Sequence, residues 1–516
     1  MKVLKSKTLL LECLLLLSLS IIFLFIYGRY GYEGSDTSYM RGFSQSLING
    51  KKLGETLNFP MTPVSLYITT IYYKIFGGFK YVVLGERFLH YVCISLITWF
   101  SFQIYVSKNT NLLQRTLLLS IAFMLNASNF PVSLSYTEIS IAFACASLFF
   151  FKNNNLKVSG ALLFLSIYSK QNFIIYSLLF FLSVFFVNKK KVLPLFVGFF
   201  SALLLAYIIR FSPIHGEMQD FGKVPLLNNI NKIIKSGLIG YYTYLKLLIS
   251  LPIITFMIKT DKERNTFFFS VIMIYLSYLL YLSFMASAYH PYTSNLGKLL
   301  LLFLLGHVLY KFIKQKIVSF DILCTLILAW TSGVANTSSG PWLLSGSLFT
   351  YLSLNLMNKS YLTYKLSLTL FIISMTFLNY SNFSYRTSEK KYLTRDFGEV
   401  DERYTGIRVS EKTLISFIEL KEISRGLKKI HVLPSFSDAN FLLNKPYCLP
   451  ITWDLKGHLP KTEELRIMPI LKKHLKKCDY VILQLMQPDK WTQYTAIIKK
   501  DWKIHKKYKD WVIYRR

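Results

Sequence analysis

Long apolar runs dominate this chain and leave few folds open to it. Candidate stretches lie at 8–27, 81–106, 114–130, 134–151, 156–169, 171–187, 192–210, 239–258, 266–287, 296–313, 317–335, 341–357 and 363–379. Most approach the roughly 20 residues a helix needs to cross the hydrocarbon core of a bilayer. Lipid offers no partner to a bare N–H or C=O, so segments of this kind close their hydrogen bonds internally, as helices. The expected fold is therefore a polytopic α-helical membrane protein with about thirteen transmembrane helices. Composition agrees: 53% of the 516 residues are hydrophobic, with 42 Phe and 35 Tyr, more than a soluble globular chain carries.

The loops give an independent test. "SKNTNLLQR" (107–115), "KNNNLK" (152–157), "NKKKV" (188–192), "KTDKER" (259–264), "KFIKQK" (311–316) and "NKSYLTYK" (358–365) are basic and fall on alternate turns. Between them, "NASNFP", "FSPIHGEMQDFG", "SAYHPYTS" and "NTSSGPW" are nearly free of Lys and Arg. Under the positive-inside rule this alternation puts the N-terminus in the cytoplasm, and an odd number of spans puts everything after residue 380 outside. The net charge of +33 is thus a topology signal plus a basic tail, and no nucleic-acid partner is expected. Lys2, Lys5 and Lys7 precede the first run, and no small-residue cleavage site follows it, so it reads as an uncleaved helix. Lys170 interrupts one long apolar stretch and divides it into the spans 156–169 and 171–187.

From about residue 381 the composition turns charged and soluble. "SEKTLISFIELKEISRGLKK" has helical periodicity with a Ser start signal, "KIHVLPSF" and "DYVILQL" read as buried strands, and "WKIHKKYKDWVIYRR" reads as a hairpin about Lys509 and Asp510. The expected organisation is a transmembrane domain over 1–380 and a small extracytoplasmic α/β domain over 381–516. Four cysteines (Cys13, Cys93, Cys145, Cys324) sit in apolar spans, where a thiol is usually a small hydrophobe. Cys448 and Cys478 lie in the polar region and could pair if that region is outside the cytoplasm.

The first external segment, 28–80, is the longest of the early loops and is expected to hold the active site. It opens "GYEGSDTSYMRGFSQSLINGK" (31–51), with Glu33 and Asp36 where the first helix emerges. The chain has only 27 acidic residues against 60 basic ones, so two acids here stand out. Further on, "TPVSLYITTIYYKIFGG" (62–78) has apolar spacing suited to a helix lying in the interface, ended by Gly77 and Gly78. No His or Cys pairs at metal-ligand spacing, no HExxH and no phosphate-cradling Gly motif are visible. A sugar-nucleotide donor, a resident metal and any other cofactor are therefore not expected.

Taken in order, one helix, "EGSDTSY", "INGK" and "NFPMTPVSLYITTIYYKIFGG" resemble the GT-C glycosyltransferases, in particular the bacterial branch related to protein O-mannosyltransferases and aminoarabinose transferases (families 39 and 83). The residues that carry the resemblance are Asp36, Tyr39, Gly50, Pro60 with Pro63, and "YKIFGG"; Ser169, Lys170 and Gln171 match a later family segment. Those motifs cover about a fifth of the chain, and the outline of helices plus external C-terminal domain covers most of it. Where many relatives place a charged residue before the prolines of the interfacial helix, this chain has Asn58 and Phe59.

The resemblance implies a multi-pass enzyme of the bacterial inner (cell) membrane. It would move a sugar from a polyprenyl-phosphate donor to a glycan, lipid or protein acceptor on the outer face, usually with inversion. Asp36 is then the expected catalytic base or positioning carboxylate, with Glu33 the alternative. The departing lipid phosphate needs cationic donors, for which Arg41, Arg87 in "GERFLHY", Lys170 and His290 in "AYHPY" are the candidates. Glu138 in "SYTEISIAF" reads either as a helix cap or as a second acid of the site. Arg87 also reads as a residue snorkelling at the interface, and His290 as a loop histidine. A flippase or transporter, or a polymerase or ligase of lipid-linked glycans, is the alternative. Such transporters tend to show two similar halves, which are not visible here.

Overall fold

The structure, a computed structural model, describes residues 2–32, 38–53, 57, 63–106, 112–127, 132–208, 320–335, 344, 346–350, 390–433, 437–449, 472–485 and 492–516. Among the described residues the N-terminal part holds ten α-helices: α1 (Lys2–Phe23, extended by a π-helical turn Leu24–Gly28), α2 (Tyr39–Ile48), α3 (Val64–Phe76), α4 (Val82–Tyr105), α5 (Leu112–Ala127), α6 (Tyr136–Lys152), α7 (Leu156–Ser169), α8 (Phe173–Val187), α9 (Val192–Ile208) and α10 (Phe320–Ala335). Of these, Lys7–Gly28, Val82–Tyr105 and Lys189–Ile208 are long and apolar enough to cross a membrane; Leu112–Ala127, Leu156–Ser169, Phe173–Val187 and Leu323–Ser332 are shorter apolar helices. The chain is a polytopic helical membrane protein with a small C-terminal sheet region. The candidate spans 239–258, 266–287, 296–313 and 363–379, and most of 341–357, lie outside the described residues, as does the "NTSSGPW" turn.

Apolar side chains alone do not set how these helices cross, because lipid competes equally for them; close backbone approach and polar pairs do. Between α6 and α7 four serines pair reciprocally: Ser147 and Ser159 each donate to the other's carbonyl at 2.8 and 2.9 Å, and Ser140 and Ser166 do the same at 2.9 Å. Between α7 and α9 two glycines open the contact. A Cβ on Gly160 would stand 2.0 Å from the Leu195 carbonyl oxygen, and one on Gly198 1.9 Å from that of Lys157. The helices α7 and α8 are separate elements divided at Lys170, where the expectation put the break. Glu12 of α1 is buried and accepts from Arg115 of α5 and from Trp99 and Gln103 of α4.

The C-terminal part holds a two-stranded ladder, β1 (Arg395–Asp396) with β2 (Arg408–Val409), and a four-stranded sheet of β3 (Ile430–Leu433), β4 (Tyr480–Gln484), β5 (Lys503–Lys507) and β6 (Trp511–Arg515) in the order β3-β4-β6-β5. The β3/β4 pair is parallel; β4/β6 and β6/β5 are antiparallel. Helix α11 (Glu411–Ile423) starts at Ser410, whose hydroxyl accepts from the Thr413 N–H, and short α12 (Ala439–Leu442) follows β3; α13 (Thr492–Asp501) precedes β5. Strands β3 and β4, the β5/β6 hairpin and α11 lie where the sequence places them, whereas β1 and β2 are not expected from it. Edge strand β5 is exposed along its length and carries Lys503, Lys506 and Lys507, charges that discourage pairing with another edge. Cys448 and Cys478 are joined in a disulfide.

The C-terminal unit does not stand apart from the bundle. One apolar cluster unites Tyr32, Tyr73, Val82 and Val83 of the N-terminal part with Phe397, Tyr404, Phe417, Phe441 and Trp511. The chain leaving α1 also pairs with β2: the Gly31 N–H donates to the Arg408 carbonyl at 2.8 Å, and the Arg408 N–H to that of Arg29 at 2.7 Å. Gly31 has φ +83°, a conformation a glycine adopts without strain. The sheet region therefore packs directly on the residues that follow α1, on α3 and on the start of α4.

Candidate functional site

Glu33, Asp36 and His290 lie outside the described residues; Arg41, Arg87, Glu138 and Lys170 do not.

Arg41, on the first turn of α2, is 1% exposed and is surrounded by acids and phenols. Its Nε and Nη2 donate to Glu86 Oε2 at 3.1 and 2.9 Å, Nε also donates to the Tyr73 hydroxyl at 3.0 Å, and Nη1 donates to the Tyr404 hydroxyl at 3.3 Å and to Asp438 Oδ2. Tyr73 in turn donates to Glu86, and Tyr404 to Asp438 Oδ2 at 2.6 Å. Tyr32 donates to the other oxygen, Asp438 Oδ1, at 2.5 Å. Burial first, and then the neighbouring Asp438 charge, hold the Tyr32 and Tyr404 hydroxyls well above the usual phenol range, so both stay donors. Glu86 and Asp438 are fully buried, and Glu86 Oε1 finds no partner among the described residues. Two buried carboxylates thus meet the single charge of Arg41.

Arg87, one residue further along α4, is 2% exposed. Its Nη1 donates to the Gly28 carbonyl at 2.6 Å and its Nη2 to that of Gly31 at 2.7 Å. Both guanidinium groups expected to bind the donor phosphate are therefore committed, Arg41 to carboxylates and Arg87 to the backbone that leaves α1. Carboxylates offset the charge of Arg41, whereas the carbonyls that Arg87 meets are neutral and satisfy its hydrogen bonds only.

The second cluster lies at the start of α6. Ser135 and Glu138 form a capping box: the Glu138 N–H donates to Ser135 Oγ at 3.4 Å, and the Ser135 N–H to Glu138 Oε2 at 3.5 Å. The same carboxylate oxygen stands 3.0 Å from His90 Nδ1 of α4, both side chains being buried. Glu138 Oε1 has no hydrogen-bond partner among the described residues. Glu138 is thus a cap and also half of a buried acid–imidazole pair, so the two readings of it are compatible.

Lys170, between α7 and α8, is 4% exposed; its Nζ donates to Thr137 Oγ1 at 2.7 Å and lies 4.7 Å from the centre of the Tyr136 ring. That ring meets Tyr39 edge-on at 5.7 Å, and Tyr39 is the first residue of α2. From α3, Ser65 donates to the Ser169 carbonyl at 3.5 Å. Lys170 is therefore linked through two aromatic rings to the helix that begins just after 33–37. A buried lysine, two phenols and an imidazole–carboxylate pair form a setting able to hold an anion and to move a proton. Among the described residues no group of three His, Cys, Asp or Glu stands close enough to hold a metal ion.

Sequence reasoning passed over Glu86, His90, Tyr32 and Asp438. Glu86 and His90 stood in the quoted "GERFLHY", and an acid and an imidazole inside an apolar span were signal enough to single out. Asp438, in "PSFSDAN", carried no signal.

No family model matches the chain, and no curated protein matches it in sequence. Among solved structures it is similar to ArnT from Cupriavidus metallidurans in the apo state (TM-score 0.44, 10% identity, 97% of each chain covered). It is also similar to the same protein bound to undecaprenyl phosphate (TM-score 0.41, 10% identity, 98% of this chain and 97% of that one). A third similar structure is the Archaeoglobus fulgidus oligosaccharyltransferase in complex with Zn and sulfate (TM-score 0.42, 14% identity, 88% of this chain and 64% of that one).

Proposed function

We propose that this protein is a membrane glycosyltransferase that moves a sugar from a polyprenyl-phosphate donor to an acceptor hydroxyl at the extracytoplasmic surface. The observation that carries the reading is the Tyr39–Tyr136–Lys170 chain, which brings a buried ammonium to the helix that follows the acid-bearing segment 33–37. A lipid-linked donor is held at the membrane by its tail, so its phosphate reacts at the membrane edge, where the first helix ends.

In the proposed reaction the acceptor oxygen attacks C1 of the sugar, and the bond from C1 to the phosphate oxygen breaks. The electron pair leaves with the polyprenyl phosphate, and the hydroxyl proton passes to the Asp36 carboxylate, with Glu33 the alternative base. A single displacement of this kind inverts the anomeric centre. Lys170 is assigned to the phosphate, because an ammonium beside the leaving oxygen stabilises the charge that develops there. His290 remains a second proposed cation. Glu138, held by His90, is the proposed second acid. Arg41 and Arg87 are assigned to holding the segment rather than the substrate.

Two observations support the extracytoplasmic side. The C-terminal unit lies on the first external segment, so the two share a side, and that unit carries a disulfide, a bond that persists in oxidising compartments.

Binding tests the donor class. Purified protein in detergent should be stabilised against heat in a saturable way by polyprenyl phosphate, and Lys170→Met should weaken that binding at least about ten-fold, the worth of a buried charge-assisted contact. Absence of any stabilisation of the unaltered protein would refute the donor class.

A further inference from the structure

We propose that Asp438 is a positioning residue that clasps both ends of the segment bearing Glu33 and Asp36. The functional consequence rests on the reading of that segment given above; the clasp itself does not. Tyr32 is the last described residue before the segment, and Arg41 stands on the first turn of the helix after it. Both donate to this one carboxylate, Tyr32 to Oδ1 and Arg41 to Oδ2. The two ends are thereby fixed against a single group that comes from neither of them.

The clasp is itself braced. Asp438 precedes α12, where Asn440 Nδ2 donates to the carbonyls of Ile430 and Pro446, both at 2.9 Å, tying the turn to β3. Arg403 donates to the Phe441 carbonyl at 2.7 Å while paired with Asp401 at 2.6 Å. Tyr447 donates to the Ser437 carbonyl at 2.9 Å. On the opposing side α2 comes so close that a Cβ on Gly42 would stand 2.0 Å from that same Ser437 oxygen. Helix and turn therefore meet backbone to backbone.

Stability alone is a poor reason for such an arrangement. A buried ion pair roughly breaks even against well-packed apolar side chains, because its desolvation offsets its attraction. What charge and directed hydrogen bonds add is one geometry in place of several. Here that geometry concerns the two ends of the segment proposed to act on the substrate, and a carboxylate accepting three donors permits little variation. The C-terminal unit is in this view a part of the catalytic apparatus, acting through Asp438 without touching the donor.

Amide exchange followed by mass spectrometry tests the clasp without any substrate. In the full-length protein, Asp438→Asn should raise exchange in peptides spanning 29–48 by at least about ten-fold, as loss of a charge-assisted bond implies, while strands 430–433 and 480–484 keep their rates. Tyr32→Phe, which removes one hydroxyl, should produce a smaller rise in the same peptides and add little in the Asp438→Asn background. Should Asp438→Asn not fold, Tyr32→Phe alone carries the test. The proposal is overturned by unchanged exchange over 29–48 in Tyr32→Phe and Asp438→Asn, or by an equal rise over 29–48 and 430–433. If polyprenyl phosphate is bound, Asp438→Asn should leave that binding intact and lower donor turnover. Failure of binding would sink the proposed function and leave the exchange result standing.

Discussion

The Arg41 guanidinium and the Asp438 carboxylate, 397 positions apart in the chain, form a buried ion pair that joins α2 to the C-terminal sheet region. With Glu86 also paired to Arg41, one cation serves two buried carboxylates. Arg41→Met should therefore leave both acids uncompensated and cost about 3–5 kcal/mol, the usual penalty for breaking a buried pair from one side. Arg41→Lys should recover only part of it, since an ammonium cannot spread its donors over two carboxylates and two phenols. Thermal unfolding of the detergent-solubilised variants measures both.

The crossing of α7 and α9 depends on having no side chain at two places. Gly198→Ala would put a methyl group 1.9 Å from the Lys157 carbonyl oxygen, so the helices must separate. A loss of about 1–3 kcal/mol is expected, as for other overpacked contacts. Gly78→Ala, where a Cβ would meet nothing within 4 Å, should change stability by less than about 0.5 kcal/mol and is the matched control.

The Cys448–Cys478 disulfide closes a loop of 30 residues. By chain-entropy reasoning its removal in Cys448→Ser should destabilise the C-terminal unit by about 3–4 kcal/mol. In intact cells both thiols should react with a membrane-impermeant maleimide only after mild reduction. Labelling without reduction would contradict the pairing.

Lys51 sets a pH dependence. Its Nζ donates to the Leu449 carbonyl, and burial, followed by the nearby Lys477 charge, brings its pKa from 10.5 down to about 7. Between those values the unfolded chain holds the proton and the folded one does not, so stability rises with pH from about 7 to about 10.5 and the benefit is absent below 7. Lys390, brought to about 7 by burial and then by Arg29, acts in the same direction. Urea unfolding at pH 7 and pH 9.5 should show the gain, and Lys51→Met should reduce it.

How much of this was legible beforehand depended on the range of the forces. The helices around Lys170 and the hairpin ending at Arg515 follow from local hydrophobic period and turn chemistry, and they lie where the sequence put them. Lys170 stood out because charge inside an apolar run is expensive without a purpose. The Arg41–Asp438 pair could not be read, because nothing local to "PSFSDAN" distinguishes a buried acid from a solvated turn residue. The same limit hid the partners of Arg41 and Arg87: the carboxylates and carbonyls they meet come from distant segments.

The most direct measurement is mass spectrometry of polyprenyl-phosphate sugars in membranes that carry the unaltered chain or Asp36→Asn at equal protein levels. One lipid-linked sugar should accumulate with Asp36→Asn alone, which would identify the donor and show that Asp36 is needed to consume it. Identical profiles for Asp36→Asn, for Glu33→Gln and for the unaltered chain would contradict a transferase that works from this segment.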